Sequence, residues 1–115
     1  MRHAAHYERV ARQARDRYEQ GSAGVREGLA LFDREWPNIR IGQAWAAAHA
    51  PEDEAAAELC SAYPDAGAHC LDLRQLPQAR IQWLEAALDA ARSLGNRVSE
   101  GVHLVSLGVV HQNLS

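Results

Sequence analysis

Six histidines, two cysteines and fifteen carboxylates are the side chains of this 115-residue chain with the chemistry to bind a metal or move a proton. His3 and His6 stand three apart, on one face of a helix, a spacing that suits two metal ligands. No third ligand lies near them in sequence, so they are expected to be surface histidines. His69 and Cys70 are adjacent and would point about 100° apart on a helix, which makes no pincer. Cys60 and Cys70 would stand about 15 Å apart along a continuous helix, too far for a disulfide unless Pro64 breaks it badly. Cys70 is expected to be a small core residue. Glu52, Asp53 and Glu54 crowd a helix start, where negative charge is favoured by the helix dipole. Glu58 and Asp72 would lie nearly four turns apart on one helix, whereas acid–base catalysis needs two groups converging in a dry cleft. Gly21-Ser22-Ala23-Gly24 is not a phosphate loop, because no strand precedes it and the chain contains no lysine. No nucleophile has an evident base. No catalytic, cofactor-binding or metal-binding residue is assigned, and a non-enzymatic protein is expected.

The elements that would carry these residues are helical. Alanine appears 22 times and leucine and arginine 12 times each, while threonine is absent and aromatic residues are few. Ala, Leu, Arg, Glu and Gln favour helix, and strands draw on residues that are scarce here. The expectation is therefore all-α, with a core thin enough for helices to approach closely. The net charge of −3 argues against nucleic acid as the main partner. Residues 1–50 hold eight arginines against six acids, +2, and residues 51–115 hold four against nine, −5. No apolar run approaches the roughly 18 residues needed to span a bilayer, and no signal peptide is evident. Two cysteines make no disulfide framework, so a cytoplasmic location is expected.

Apolar periodicity predicts a helix over 3–20, ended by Gly21, with Ser22 placed to cap the next. A second pattern runs from 23 to 36, and another continues to His49 after Pro37, which either breaks or kinks the helix. Pro51 and the acids after it open a helix over about 52–73, with a bend or short break after Tyr63 because of Pro64. Pro77 opens a helix reaching Leu94. Gly95-Asn96 ends that helix and caps the next, over about 97–114. Five or six helices are thus expected.

The second half compares productively with itself. Tyr63-x-x-Ala66-Gly67-x-x-Cys70 is followed by Ala79-x-x-x-Trp83-x-x-Ala86, and Leu104-x-x-Leu107-Gly108-x-x-His111 restarts the first part 41 residues after Gly67. This layout resembles the tetratricopeptide repeat. In the N-terminal half, His6-Tyr7, Leu29 to Arg40 (with Phe32, Trp36 and Ile39) and Ala44-Trp45-Ala46 look like the stretch that precedes such repeats in large bacterial signal-transducing ATPases and transcriptional regulators. Arg74-Gln75-Leu76 with Trp83 to Leu88 is similar to their first repeat. The resemblance implies antiparallel helix hairpins of a right-handed superhelix, with residues 1–50 preceding the repeats and 51–115 forming one repeat plus the first helix of the next. Gly67 and Gly108 would sit mid-helix at close helix contacts. Trp83 would be buried between the helices around Gly67, Ala79 and the last helix.

The same resemblance places a concave face on the first helix of each pair. Its groove positions in the first repeat would be Ser61, Pro64, Ala68, Leu71 and Asp72. In the next they would be Val102, Val105, Val109, Gln112 and Asn113. This set is mostly apolar and holds no basic residue, which suits an apolar helix or another segment of the parent protein. Alternatively these residues are core under the next helix. The resemblance implies a protein–protein interaction module, scaffold or sensor arm of a multidomain regulator, with the alternative of a regulatory domain taking a small molecule or peptide in the groove. Leu104, Leu107, Val110 and Leu114 form an apolar strip on the last helix that would lack a cover, so self-association as a dimer is expected there.

Overall fold

A computed structural model describes residues 2–67, 70, 71 and 74–114. Among these the chain forms five α-helices and no strand: α1 Arg2–Glu19, α2 Ala23–His49, α3 Glu54–Ala66, α4 Pro77–Leu94 and α5 Arg97–Leu114. The all-α expectation holds.

The helix ends follow local chemistry. Gly21 and Gly95 both take positive φ, 73° and 68°, which glycine adopts without a Cβ penalty. The Asn96 amide donates to the Ala91 carbonyl across the second of these turns, and the Asn96 side chain accepts from the Ser99 amide to start α5. Asp53 caps α3 by accepting from the amides of Ala55 and Ala56. The expected cap at Ser22 is absent: its backbone is turned to φ 52° and its side chain makes no cap bond. Gly24 instead donates to Gly21 and Val25 to Ser22.

Pro37 does not end its helix. α2 runs for 27 residues through it, so the two segments expected on either side are one. A proline inside a helix costs about 3 kcal/mol. Ile39 and Ala46, buried beyond it, hold the second half against the core. Pro64 also stays within its helix. The break comes at Gly67, where α3 ends, so the single helix expected over 52–73 is interrupted there. Gly67 therefore sits at a helix terminus and not mid-helix, although a Cβ on it would press on Leu71 at 3.1 Å and Phe32 at 3.4 Å. Helical bonding resumes from its carbonyl, which accepts from Leu71.

Glycines make α1 and α2 a backbone-to-backbone pair. A Cβ on Gly28 would lie 2.5 Å from the Ala14 carbonyl oxygen and 2.7 Å from the Tyr18 nitrogen. Gly24 meets the Arg17 carbonyl, and Gly42 meets Ala4 and the Tyr63 hydroxyl. The pairing of 24 with 17, 28 with 14 and 42 with 4 makes the hairpin antiparallel.

The core of the molecule is an aromatic chain. Phe32 stacks on Trp36 at 5.1 Å, Trp36 meets Trp83 at 5.8 Å, and Trp83 and Tyr63 stand perpendicular at 5.8 Å. Tyr63 donates to the Ala4 carbonyl at 2.6 Å, and burial pushes its phenol pKa up. Trp83 is buried as expected and meets Tyr63 of α3, but its second ring partner, Trp36, comes from α2. It faces the N-terminal half because α2 is long enough to bring Trp36 beside it. Arg15 bonds both the carboxylate and the carbonyl of Asp65, and Arg74 forks onto Asp33, tying α3 and the segment after it to α1 and α2. These pairs lie at the surface, where solvent screens them, so the aromatic chain and the glycine contact dominate.

Candidate functional site

The residues singled out for chemistry are dispersed. His3 and His6 lie against the Tyr7 ring, at 4.7 and 4.6 Å. Among the described residues no group of three or more His, Cys, Asp or Glu gathers. Cys60 and Cys70 are separate, buried thiols, and burial pushes that of Cys60 up to about 11. That value keeps it protonated and unreactive near neutral pH. Asp53 is occupied as a helix cap, and Asp72 and His69 lie outside the described residues.

One polar pair joins two helices in the interior. Ser61 on α3 and His103 on α5 lie 3.0 Å apart, hydroxyl to Nε2, and both are buried. Desolvation lowers the His103 pKa, against smaller opposing effects from Ser61 and Asp65. Arg12, Glu58, Asp65 and Asn96 border the cleft beside this pair, which has a volume of about 450 Å3. The pair docks α5 on α3 through a satisfied hydrogen bond, which a buried imidazole needs.

The groove positions divide sharply. Ser61, Pro64 and Leu71 are buried, so they belong to the core and do not open onto a groove. The reason is the docking of the chain around Gly67 against α2, seen in the Gly67–Phe32 contact, and of α5 on Ser61. Ala68 and Asp72 lie outside the described residues. Val102, Val105, Val109, Gln112 and Asn113 are all exposed on α5.

Among the described residues, six of the eight large hydrophobic side chains that are exposed lie on α5. Val98, Val102, Val105 and Val109 fall within about 60° of one another at 100° per residue and are 79, 51, 69 and 51% exposed. Gly101 and Gly108 flank them, and a Cβ on either would meet nothing within 4 Å. Gly108 is thus mid-helix as expected, but without the expected close contact inside the chain. Each glycine costs its helix about 1 kcal/mol relative to Ala with no intramolecular packing in return.

The strip expected for self-association is split by the same geometry. Leu104 and Leu114 are exposed, while Leu107 and Val110 are half-buried on the far side of α5 from Val105. Val102, Val105 and Val109 are among the groove positions read from the sequence, and a residue pattern adds Val98 to them. Val98-Ser99-Glu100-Gly101-Val102 recurs seven residues later as Val105-Ser106-Leu107-Gly108-Val109. A seven-residue repeat of apolar positions is the signature of a helix seam facing another helix.

Other clefts run between elements. Gln75, Pro77 and Arg80 with Val105, Val109 and Asn113 border one of about 440 Å3. It opens to solvent along the valine face. Among the described residues no helix is long and apolar enough to cross a membrane. No protein-family model, curated protein or solved structure matches this chain.

Proposed function

We propose that this chain is a non-enzymatic helical module that binds protein through the outer face of α5. The observation that carries this reading is the set of four valines, 51–79% exposed, repeated at heptad spacing on one helix face. Contiguous apolar surface bordered by polar residues is typical of a protein interface. The clefts beside it are open, which favours a helix or peptide over an enclosed small ligand. The likeness of the sequence to the repeat region of large bacterial regulators supports a role as scaffold or sensor arm, with protein, peptide or other domains of a parent as partner. Two buried free thiols are compatible with a reducing cytoplasm.

A photo-crosslinking residue placed at Val105, with Arg26 on α2 as the exposed control, tests the reading. Protein adducts that form from Val105 and not from Arg26, in extracts of the source cells, support it. Equal or absent adducts at the two positions overturn it.

A further inference from the structure

The last helix is docked through an ionisable side chain. Among the described residues α1, α2, α3 and α4 bury five, eight, seven and six side chains, whereas α5 buries one, His103, which is 3% exposed. The buried core cluster includes no residue of α5. Leu107 and Val110 are half-buried, and Glu100 pairs with Arg92 of α4 at 2.7 Å. That ion pair lies near the surface, where solvent screens it. A helix is ordinarily held by the burial of an apolar face. Here the deepest contact is an imidazole, 3.0 Å from the Ser61 hydroxyl of α3.

We propose that His103 is a proton-operated latch: α5 stays docked while the ring is neutral and comes away when the ring is protonated, with α1 to α4 folded throughout. Protonation does not break the Ser61 bond, because the hydroxyl accepts from a protonated Nε2 as readily as it donates to a neutral one. It places a positive charge in a site almost closed to water. The carboxylates around the ring are committed elsewhere or solvated. On α3, Asp65 accepts from Arg15 at 3.1 Å and lies 3.9 Å from Arg12 of α1, and Glu58 is exposed. On α5, Glu100 is held by Arg92. Arg12 borders the cleft as a like charge, and α4 lines it with Leu94. Desolvation outweighs the attraction of Asp65, so the docked ring titrates below the ordinary value of 6.5 and the released ring takes up its proton first. A proton bound more tightly by the released helix favours release as pH falls. The aromatic chain and the glycine contact lie within α1 to α4, so the opening is local. Leu107 and Val110 then meet solvent beside the valines, and acid enlarges the apolar surface that α5 presents.

Amide hydrogen exchange read by mass spectrometry, on the full chain at about pH 7.5 and about pH 5.5, measures the release. A released ring of ordinary pKa is about 90% protonated at the lower pH, which multiplies the release equilibrium by up to about tenfold. The expected result is a fall of about three- to tenfold in the protection factors of α5, corrected for the intrinsic pH dependence of exchange, with those of the α1–α2 seam unchanged. His103→Gln keeps a side chain that can bond Ser61 but does not titrate, so it removes the dependence. Glu100→Gln retains it. A smaller fall in α5 overturns the proposal, as does a parallel fall in α1 and α2, which would be global unfolding. A dependence that survives in His103→Gln also overturns it. Loss of the dependence in Glu100→Gln would assign it to the ion pair and overturns the proposal as well, whether or not His103→Gln folds.

Discussion

Gly28 and Gly108 are both helical glycines, and the structure gives opposite signs to the same Gly→Ala change at the two. Alanine gains about 1 kcal/mol of helix propensity at either site. At Gly28 the new methyl would lie 2.5 Å from the Ala14 carbonyl oxygen and 2.7 Å from the Tyr18 nitrogen. Both are backbone atoms, and ordinary contact begins near 3.4 Å, so no side chain can swing aside and the hairpin must open by somewhat under an ångström. Overpacking of this kind costs about 1–3 kcal/mol, and the spread of the α1–α2 seam places this site at the upper end. After the propensity gain, a net loss of about 1–2 kcal/mol is expected for Gly28→Ala. At Gly108 nothing opposes the gain within a monomer. At roughly 4 °C per kcal/mol for a domain of this size, the two variants should melt on either side of wild type. Thermal unfolding followed by circular dichroism at low micromolar concentration makes the comparison. Gly28→Ala melting at or above wild type would show that the helices do not touch through their backbones. A loss of stability in Gly108→Ala under those conditions would show that its space is filled within the chain.

Trp83→Ala should cost about 3–5 kcal/mol in urea unfolding, because it removes the ring joining Trp36 to Tyr63; a loss under 1 kcal/mol would refute that placement. Tyr63→Phe removes the buried hydroxyl bond to the Ala4 carbonyl and should cost about 1 kcal/mol. The His103 pKa is lowered in the folded state, so the unfolded chain binds the proton more readily and the stability from this site is complete above the unfolded value, about 6.5. Stability should fall as pH drops below that value toward the folded one, and His103→Gln should flatten that part of the profile. A wild-type profile matched by the variant would show that His103 titrates alike in both states.

Local signals were the legible part of this fold. Pro77 at the start of α4, Gly95 at its end and Asn96 capping α5 all act through bonds within a few residues, so the sequence pattern is sufficient to locate them. Pro37 was not decidable from its surroundings. Its cost is local, but the compensation comes from Ile39 and Ala46 packing against distant elements. The end of α3 at Gly67 was missed for a related reason, since apolar residues continue on both sides of it. The groove assignment depended on which face of α3 stays open, and the hydrogen bond to His103 of α5 covers Ser61 on that face. On α5 nearly every face is apolar. Periodicity alone therefore offered two strips, and only the position of α4 distinguishes the half-buried Leu107 and Val110 from the open valines.

The aromatic chain has an optical consequence. Trp36 and Trp83 lie 5.8 Å apart at an angle of 39°, close enough and oblique enough for their electronic transitions to couple. Coupled indoles contribute ellipticity of their own in the far-ultraviolet band commonly used to measure helix content. A variant that only separates these two rings would therefore change that band with every helix intact, and infrared amide absorption, which does not register indole coupling, becomes the sound measure of secondary structure for this protein.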